Sequence, residues 1–299
     1  MIRLLWRFGF RAASLALLLA PASATGAACC GGGFAAPSLI AGDDRATLSA
    51  VFSHAEIRKD VYADGTWANR RFRESTQTLR LEGAHTFSDL WQAGFAIPVV
   101  QRGRSGDSTA GLGDISGTLG YEILPDWDYH PWRPRGHLYL QLSAPTGRAV
   151  QASESLYQLD GRGRGFWAAG LGALFTKGYG AWDLFMNASV RRGFRRSLGD
   201  RGTLIPGWGG ELALGFGHSF GDFRVGPSLT WSYEDAVAIE GSSSGARERF
   251  ATLALAAAYL IDPAWAATIS VFDQTLFGHP VNARLGRGAT LQLQRRWAR

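Results

Sequence analysis

The sequence has little cysteine, and its only two cysteines, Cys29 and Cys30, are adjacent. With none elsewhere, the chain can build neither a disulfide framework nor a cysteine zinc site. The simplest interpretation is two exposed or mutually bonded thiols in a Gly-rich stretch, residues 29–33. A lipidated Cys29 is the alternative, but Gly26 stands where a lipoprotein signal has a Leu-like residue.

Long apolar runs are also missing. The longest after the N-terminal region, Leu253 to Ile261, is far shorter than the roughly 20 residues of a transmembrane helix. Near the start, an 11-residue apolar run follows a basic stretch and precedes the small-x-small site Ala22-Ser23-Ala24. This pattern predicts a secretory signal peptide over residues 1–28.

The sequence also lacks a strong excess of charge of either sign. The formal charge is +6, and removal of Arg3, Arg7 and Arg11 with the signal leaves +3, from 28 Lys and Arg against 25 Asp and Glu. The basic character therefore lies partly in the export signal. With no basic-aromatic motif present, we expect no nucleic-acid partner.

Glycine and aromatic residues are abundant, with 39 Gly, 17 Phe and 11 Trp. From about residue 45 onward, apolar and polar residues alternate with period two, which is typical of strands exposed to different surroundings on their two faces. The pattern predicts 12 strands at 45–57, 72–87, 90–101, 112–124, 136–145, 165–177, 181–192, 208–220, 223–234, 247–261, 264–275 and 285–297. An even count is what a single-chain bacterial barrel has.

Three features favour a membrane barrel over a soluble sandwich. The strands are longer than the usual five or six residues. Aromatic residues such as Phe87 and Trp182 stand beside the short turns, as in an interfacial girdle. Charges such as Arg80 and Glu211 lie in mid-strand, where a sandwich core could not bury them unpaired. We therefore predict an all-β fold: one 12-stranded antiparallel transmembrane barrel over 45–299, preceded by a Gly-rich leader or plug over 29–44.

The connections alternate between short and long, which predicts short periplasmic turns and long extracellular loops. The long loops are predicted at 58–71, 102–111, 146–164, 193–207, 235–246 and 276–284. One long connection, Pro125 to Gly136, falls on the short-turn side and contains Trp127, Tyr129 and Trp132. We favour an aromatic patch lying on lipid headgroups; a docking surface for a periplasmic partner is the alternative.

Two sets of charges are candidates for function. Arginines crowd the predicted outer rim, where they would contact lipopolysaccharide phosphates or, alternatively, attract anionic solutes. They are Arg70, Arg71, Arg73, Arg102, Arg104, Arg162, Arg164, Arg191, Arg192, Arg195, Arg196 and Arg201. Eight charged residues are predicted to line the lumen: Arg80, Glu82, Asp114, Glu122, Asp183, Glu211, Arg224 and Arg296. These residues form either a polar solute path or a network of salt bridges that plugs the barrel, since 12 strands lie between filled and open barrels.

Catalytic and metal-binding patterns are absent from the sequence. His218 and Ser219 are neighbours in a strand, so they point to opposite faces and cannot act together. Short acidic pairs such as Asp126 and Asp128 are typical of turns. We therefore predict no enzyme activity, no cofactor and no metal site.

Two short motifs carry a family resemblance: Gly111-Leu112-Gly113-Asp114, followed by Gly117 to Tyr121, and the strand Leu140 to Gly147. These segments resemble the outer-membrane barrels known as phenol-degradation meta-pathway transporters, which are similar to the long-chain fatty-acid transporter family. The resemblance covers about a third of the chain. It implies uptake of small hydrophobic or aromatic compounds.

The sequence thus predicts a channel or transporter for passive uptake of a small solute, located in a Gram-negative outer membrane. The expected partners are the solute, outer-membrane lipids and lipopolysaccharide, and the outer-membrane insertion machinery. The alternative is a structural or interaction barrel that is closed inside and acts through its extracellular loops. A barrel enzyme is the least favoured hypothesis.

Overall fold

The computed structural model describes residues 37–128, 130–155, 157–199, 202–240 and 247–299. The predicted signal peptide, both cysteines and the first part of the leader lie outside the described residues, as does Tyr129. Within the described residues, no helix is long and apolar enough to cross a membrane.

Sixteen strands form in the described parts of the chain, along with one short 3-10 helix, Val150–Ala152. The strands are β1 Asp44–Val61, β2 Trp67–Thr86, β3 Trp91–Arg104, β4 Asp107–Leu112, β5 Ile115–Leu124, β6 Arg135–Ala144, β7 Ala168–Tyr179, β8 Trp182–Gly193, β9 Arg196–Ser197, β10 Thr203–Ile205, β11 Trp208–Phe220, β12 Phe223–Glu234, β13 Ala238–Ile239, β14 Glu248–Asp262, β15 Trp265–Asp273 and β16 Ala283–Ala298.

The long strands close into one antiparallel barrel. Each pairs with its neighbour along the chain, and β1 pairs with both β2 and β16, so that Ser49 lies opposite Glu82 on one side and Gln294 on the other. β4 and β5 are two halves of one barrel strand, separated by Gly113 and Asp114. The predicted 12-stranded barrel is therefore confirmed. β9, β10 and β13 form a separate small sheet within the long loops.

The alternating pattern sorts side chains between the two faces of the wall. Leucines such as Leu79 and Leu291 are 54% and 55% exposed on the outer face. Small and polar residues such as Ser49, Thr78 and Asn187 are buried on the inner face. Aromatic rings pack together near the short turns, with Trp91 and Tyr121 centred 4.8 Å apart. The sequence predicted this division.

The prediction of long loops at two positions is wrong. Most of 58–71 and 102–111 is strand: β1 and β2 are joined by residues 62–66, and β3 and β4 by Ser105-Gly106 alone. These segments are charged and cross-linked; Arg70, for example, donates to the Asp60 carboxylate at 2.9 Å. Side-chain pairs of this kind stabilise strands. Their polarity resembles that of a loop, which is why the sequence pattern alone misplaced them.

Candidate functional site in the barrel interior

The interior holds two connected spaces. The hydroxyl chamber, of about 380 Å³, is lined by Thr47, Ser49, Ser228, Thr230, Ser232, Thr252, Thr268, Thr290, Gln292 and Gln294. The charged chamber, of about 260 Å³, is lined by the charged residues Arg80, Glu82, Asp114, Arg164, Arg191 and Glu211. The two spaces adjoin each other in the lumen, since both are lined by Ser38, Arg80, Glu82 and Glu211.

The wall of the hydroxyl chamber mixes apolar and polar groups. Val51, Phe250 and Phe272 provide apolar surface. Hydroxyl and carboxamide groups stand beside them, since Phe250 lies opposite Ser232 and Val51 lies opposite Gln292 on neighbouring strands. Such a space can bury an apolar ring while offering hydrogen bonds to its polar substituents.

Four of the eight predicted lumen residues line these chambers. Arg80 and Glu82 pair at 2.9 Å on β2, and Glu211 lies 3.7 Å from Arg191 on the neighbouring β8. The fourth, Asp114, accepts hydrogen bonds from the backbone N–H groups of Gly147 at 3.0 Å and Arg164 at 2.6 Å. Each of these charges therefore has a partner at the chamber wall.

The other four lie outside these two chambers, in ion pairs near the short-turn end. Arg224 donates to Asp183 at 2.6 Å, and Arg296 donates to Asp44 at 2.8 Å. Arg135 donates to Glu122 at 2.6 Å, next to the almost fully buried His137. A pair of this kind stays stable when buried only if both partners are present. The structure does not bring these four residues to the chambers.

The end of the leader enters the lumen. We call residues 37–43 the inner segment. Gln92 of β3 accepts a hydrogen bond from the Ile40 N–H at 2.6 Å and donates one to the Ile40 carbonyl at 3.1 Å. Asp43 accepts one from Arg135 at 2.7 Å. Ala41 packs with the buried Tyr139 and Leu174. The segment is thus held by backbone, ionic and apolar contacts together.

Two inward-facing glycines make room for the inner segment. A Cβ atom on Gly94 would lie 1.9 Å from the Ser38 carbonyl oxygen, and one on Gly120 would lie 2.7 Å from the Leu39 side chain. Both distances are below van der Waals contact. At Gly94 the clash is with backbone, so no other residue fits there while the segment is in place, whereas at Gly120 the Leu39 side chain would have to move.

At the long-loop end, three loops pack into a lid. Phe166, Ala149 and Leu204 form a buried cluster with Val237 and other residues of the loops between β6 and β14. Asp160 ties the first loop together by accepting hydrogen bonds from the Ser155 hydroxyl and from Arg148. Burial raises the pKa of Asp160, but these hydrogen bonds outweigh burial and hold it well below its ordinary value. The loop is therefore ordered around an ionised carboxylate.

Glu74 anchors the lid to the opposite wall. Its side chain is 2% exposed and contacts Arg70, Arg102 (3.0 Å) and Arg284 (3.7 Å). Arg102 also donates to the Gly161 carbonyl at 2.8 Å in the lid. Sequence reasoning missed Glu74, although period two places it on the same face as Arg80 and Glu82. Several rim arginines predicted to contact external anions, Arg102 among them, are thus engaged inside the protein.

The two motifs behind the family resemblance meet at one junction in the wall. Thr146 donates its hydroxyl to the Gly113 carbonyl at 2.6 Å and accepts from the Ile115 N–H at 3.0 Å. The carboxylate of Asp114 holds Gly147 and Arg164, as described above. The junction joins the break between β4 and β5 to the start of the lid loop.

Replacement of Thr146 by Val is expected to destabilise this junction. Loss of both hydrogen bonds at a similar side-chain volume should lower the free energy of unfolding by about 1–3 kcal/mol. Thr109→Val is the matched control, because the buried Thr109 hydroxyl has no hydrogen-bond partner among the described residues. Urea unfolding in lipid vesicles measures both variants, and an equal effect on stability would contradict the role given to Thr146.

His218 and Ser219, the histidine-serine neighbours considered in the sequence, do not form a catalytic pair in the structure. The His218 ring packs between Trp182 and Phe220, with centroids 4.4 and 4.3 Å away. Ser219 follows it in β11 and points to the opposite face. In the described ranges, no group of three or more His, Cys, Asp or Glu residues is placed to hold a metal ion.

Comparison with known proteins supports the architecture. No protein-family model matches the chain, and no curated protein matches its sequence. The fold is similar to the crystal structure of an outer membrane channel from Pseudomonas putida F1, with a TM-score of 0.71 and 15% identity over 89% of this chain and 99% of that one. Weaker matches are the translocator domain of the autotransporter NalP from Neisseria meningitidis (TM-score 0.48, 10% identity, 84% of this chain and 88% of that one) and the NanC porin (0.46, 9%, 84% and 100%). The chain therefore has the fold of an outer-membrane β-barrel.

Proposed function

We propose that the protein is a channel in a Gram-negative outer membrane that allows passive uptake of a small solute. The observation that carries this proposal is the pair of connected chambers between the lid and the inner segment. In an outer membrane, the short turns face the periplasm and the long loops face outward. The exposed leucines of the outer wall then face lipid.

The solute that fits best is a small molecule with an aromatic ring and polar substituents. Phe250 and Phe272 offer the ring an apolar surface, and the hydroxyl and carboxamide groups beside them offer hydrogen bonds. Family resemblance and chamber chemistry therefore favour the same class of solute. The eight predicted charges divide into two roles in this proposal: Arg80, Glu82, Asp114 and Glu211 line the path, and the other four stabilise the wall.

The closed interaction barrel remains the second candidate, because one set of observations favours it. All eight predicted charges have partners, and the loops pack into a lid in which Leu204 is fully buried. In that case the outer surface of the lid would be the functional part. Solute flux separates the two candidates, since the closed barrel admits none.

Swelling of protein-containing liposomes tests the channel. Liposomes in 4-hydroxybenzoate should swell faster than those in 4-hydroxycyclohexanecarboxylate, an anion with the same non-hydrogen atoms but a saturated ring. The variant Phe272→Ala should reduce this preference, because it removes part of the apolar surface. Swelling no faster than in protein-free liposomes, for both solutes, would reject the channel and favour the closed barrel.

A further inference from the structure

A groove of about 920 Å³ crosses the outer face of the barrel wall. One side of it is a single row of paired residues on five successive strands: Phe175, Met186, Leu214, Leu229 and Leu253. The groove is also lined by Gly215, which has no side chain, and by Ser228, which also lines the hydroxyl chamber, so the groove reaches the backbone of the wall. It is thus a recess that passes between the outward side chains to the backbone.

The dimensions of the recess match one lipid chain. Five strands about 4.8 Å apart give the row a length of about 19 Å. The strands of such barrels tilt by about 35–45°, so the row climbs obliquely from the short-turn end. Because the row is oblique, its rise along the membrane normal is shorter than its length. This rise fits within one leaflet, which supplies about 15 Å of hydrocarbon, half of a core about 30 Å thick.

Polar and aromatic groups gather at the short-turn end of the groove. Lys177 lines it there, donates to the His130 carbonyl at 2.6 Å and lies 3.9 Å from the Asp126 carboxylate. Arg133 is exposed and donates to the Asp128 carbonyl at 3.3 Å. Lys177 thus joins the groove to the connection between β5 and β6, residues 125–134.

The same connection presents two tryptophans to the surroundings. Trp127 is 70% exposed and Trp132 is 86% exposed. The His130 ring accepts hydrogen bonds from the backbone N–H groups of Trp132 and Arg133 at 3.3 and 3.2 Å, which fixes the local turn. Tryptophan and arginine beside an apolar surface are what the headgroup region of a membrane favours.

We propose that the groove and the connection together bind one phospholipid of the inner leaflet of the outer membrane. One acyl chain lies along the row from Phe175 to Leu253. The phosphate lies against Arg133, whose guanidinium carries five N–H donors, only one of which is needed for the Asp128 carbonyl. Trp127 and Trp132 lie at the headgroup level. The inference rests on the membrane location proposed above and is independent of solute transport.

Native mass spectrometry tests this site. The full chain is reconstituted in vesicles of phosphatidylethanolamine and phosphatidylglycerol, extracted in mild detergent and examined for retained lipid. Wild-type protein should retain one phospholipid. Met186→Trp fills the groove and should lower retention roughly tenfold, because the acyl chain can no longer bury its apolar surface there. Arg133→Gln should lower it less.

Leu291→Trp is the matched control, because Leu291 is on the outer face of β16, away from the groove, and is 55% exposed. It should retain lipid like the wild type, and a heat-shifted band on a gel confirms that each variant is folded. Equal retention by all four proteins would show ordinary annular lipid and overturn the site. A dimer that carries no lipid would also overturn it, since a second copy then covers the groove. Failure of the wild type to insert into vesicles would instead reject the membrane location.

Discussion

A chain that begins at Asp44 is expected to conduct several-fold more current across a bilayer than the full chain. The inner segment borders both chambers through Ser38, and residues 40 and 41 are at least 93% buried against the inner wall. A barrel of 12 strands lies between the filled and the open size classes, so a segment of this bulk occupies much of its cross-section. Single-channel recording of the two chains measures the difference.

A point substitution tests the same idea in the full chain. Gly94→Val should displace the inner segment, because even a Cβ atom at this position collides with the Ser38 carbonyl. Gly117→Val is the control: it lies one strand away, and the nearest atom to its Cβ position is 3.9 Å distant. Gly94→Val should raise the conductance and Gly117→Val should not. If neither Gly94→Val nor the chain starting at Asp44 conducts more than the full chain, the inner segment does not obstruct the lumen.

Glu74→Gln is expected to lower the free energy of unfolding by roughly 3–5 kcal/mol, the range found when one partner of a buried ion pair is removed. Glu74 is 2% exposed and faces three arginines, two of which have side chains at most 14% exposed. The neutral side chain would leave Arg102 without its carboxylate partner and Arg70 with Asp60 alone. The lid should also loosen, because Arg102 binds both Glu74 and the Gly161 carbonyl.

Glu56→Gln is the control for this prediction. Glu56 pairs with Arg58 at 2.5 Å, but both side chains are more than a third exposed, so the change should cost less than about 1 kcal/mol. Urea unfolding in vesicles, followed by tryptophan fluorescence, compares the two variants. Similar losses for both would show that Glu74 is not the anchor that its burial indicates.

Local alternation made the barrel predictable. Within each strand, the alternation itself indicates which residues face outward and which face inward. The inward placement of Asp183 on β8, Glu211 on β11 and Arg224 on β12 therefore needed no knowledge of the neighbouring strands. The pairing of Arg80 with Glu82 could be predicted for the same reason, since residues two apart on a strand share a face. The extended hairpins at 58–71 and 102–111 could not be predicted, because strands that leave the apolar layer lose the apolar half of the pattern.

Contacts that depend on register could not be read from the sequence. Asp183 and Arg224 are far apart in the chain and meet only because β8, β11 and β12 align in one particular way. The binding of the inner segment is a further example, since the role of Gly94 and Gly120 in making room for it is evident only when the path of residues 37–43 is known. Division of the eight charges between the chambers and the wall likewise needed the three-dimensional structure.

The most direct test of the channel is the conductance of the pure, folded full chain in a planar bilayer. We expect small, discrete current steps, because two narrow chambers separate the lid from the inner segment. The steps should grow in the chain that begins at Asp44. The absence of current steps from both chains, each verified as folded and inserted, would contradict a solute path through this barrel.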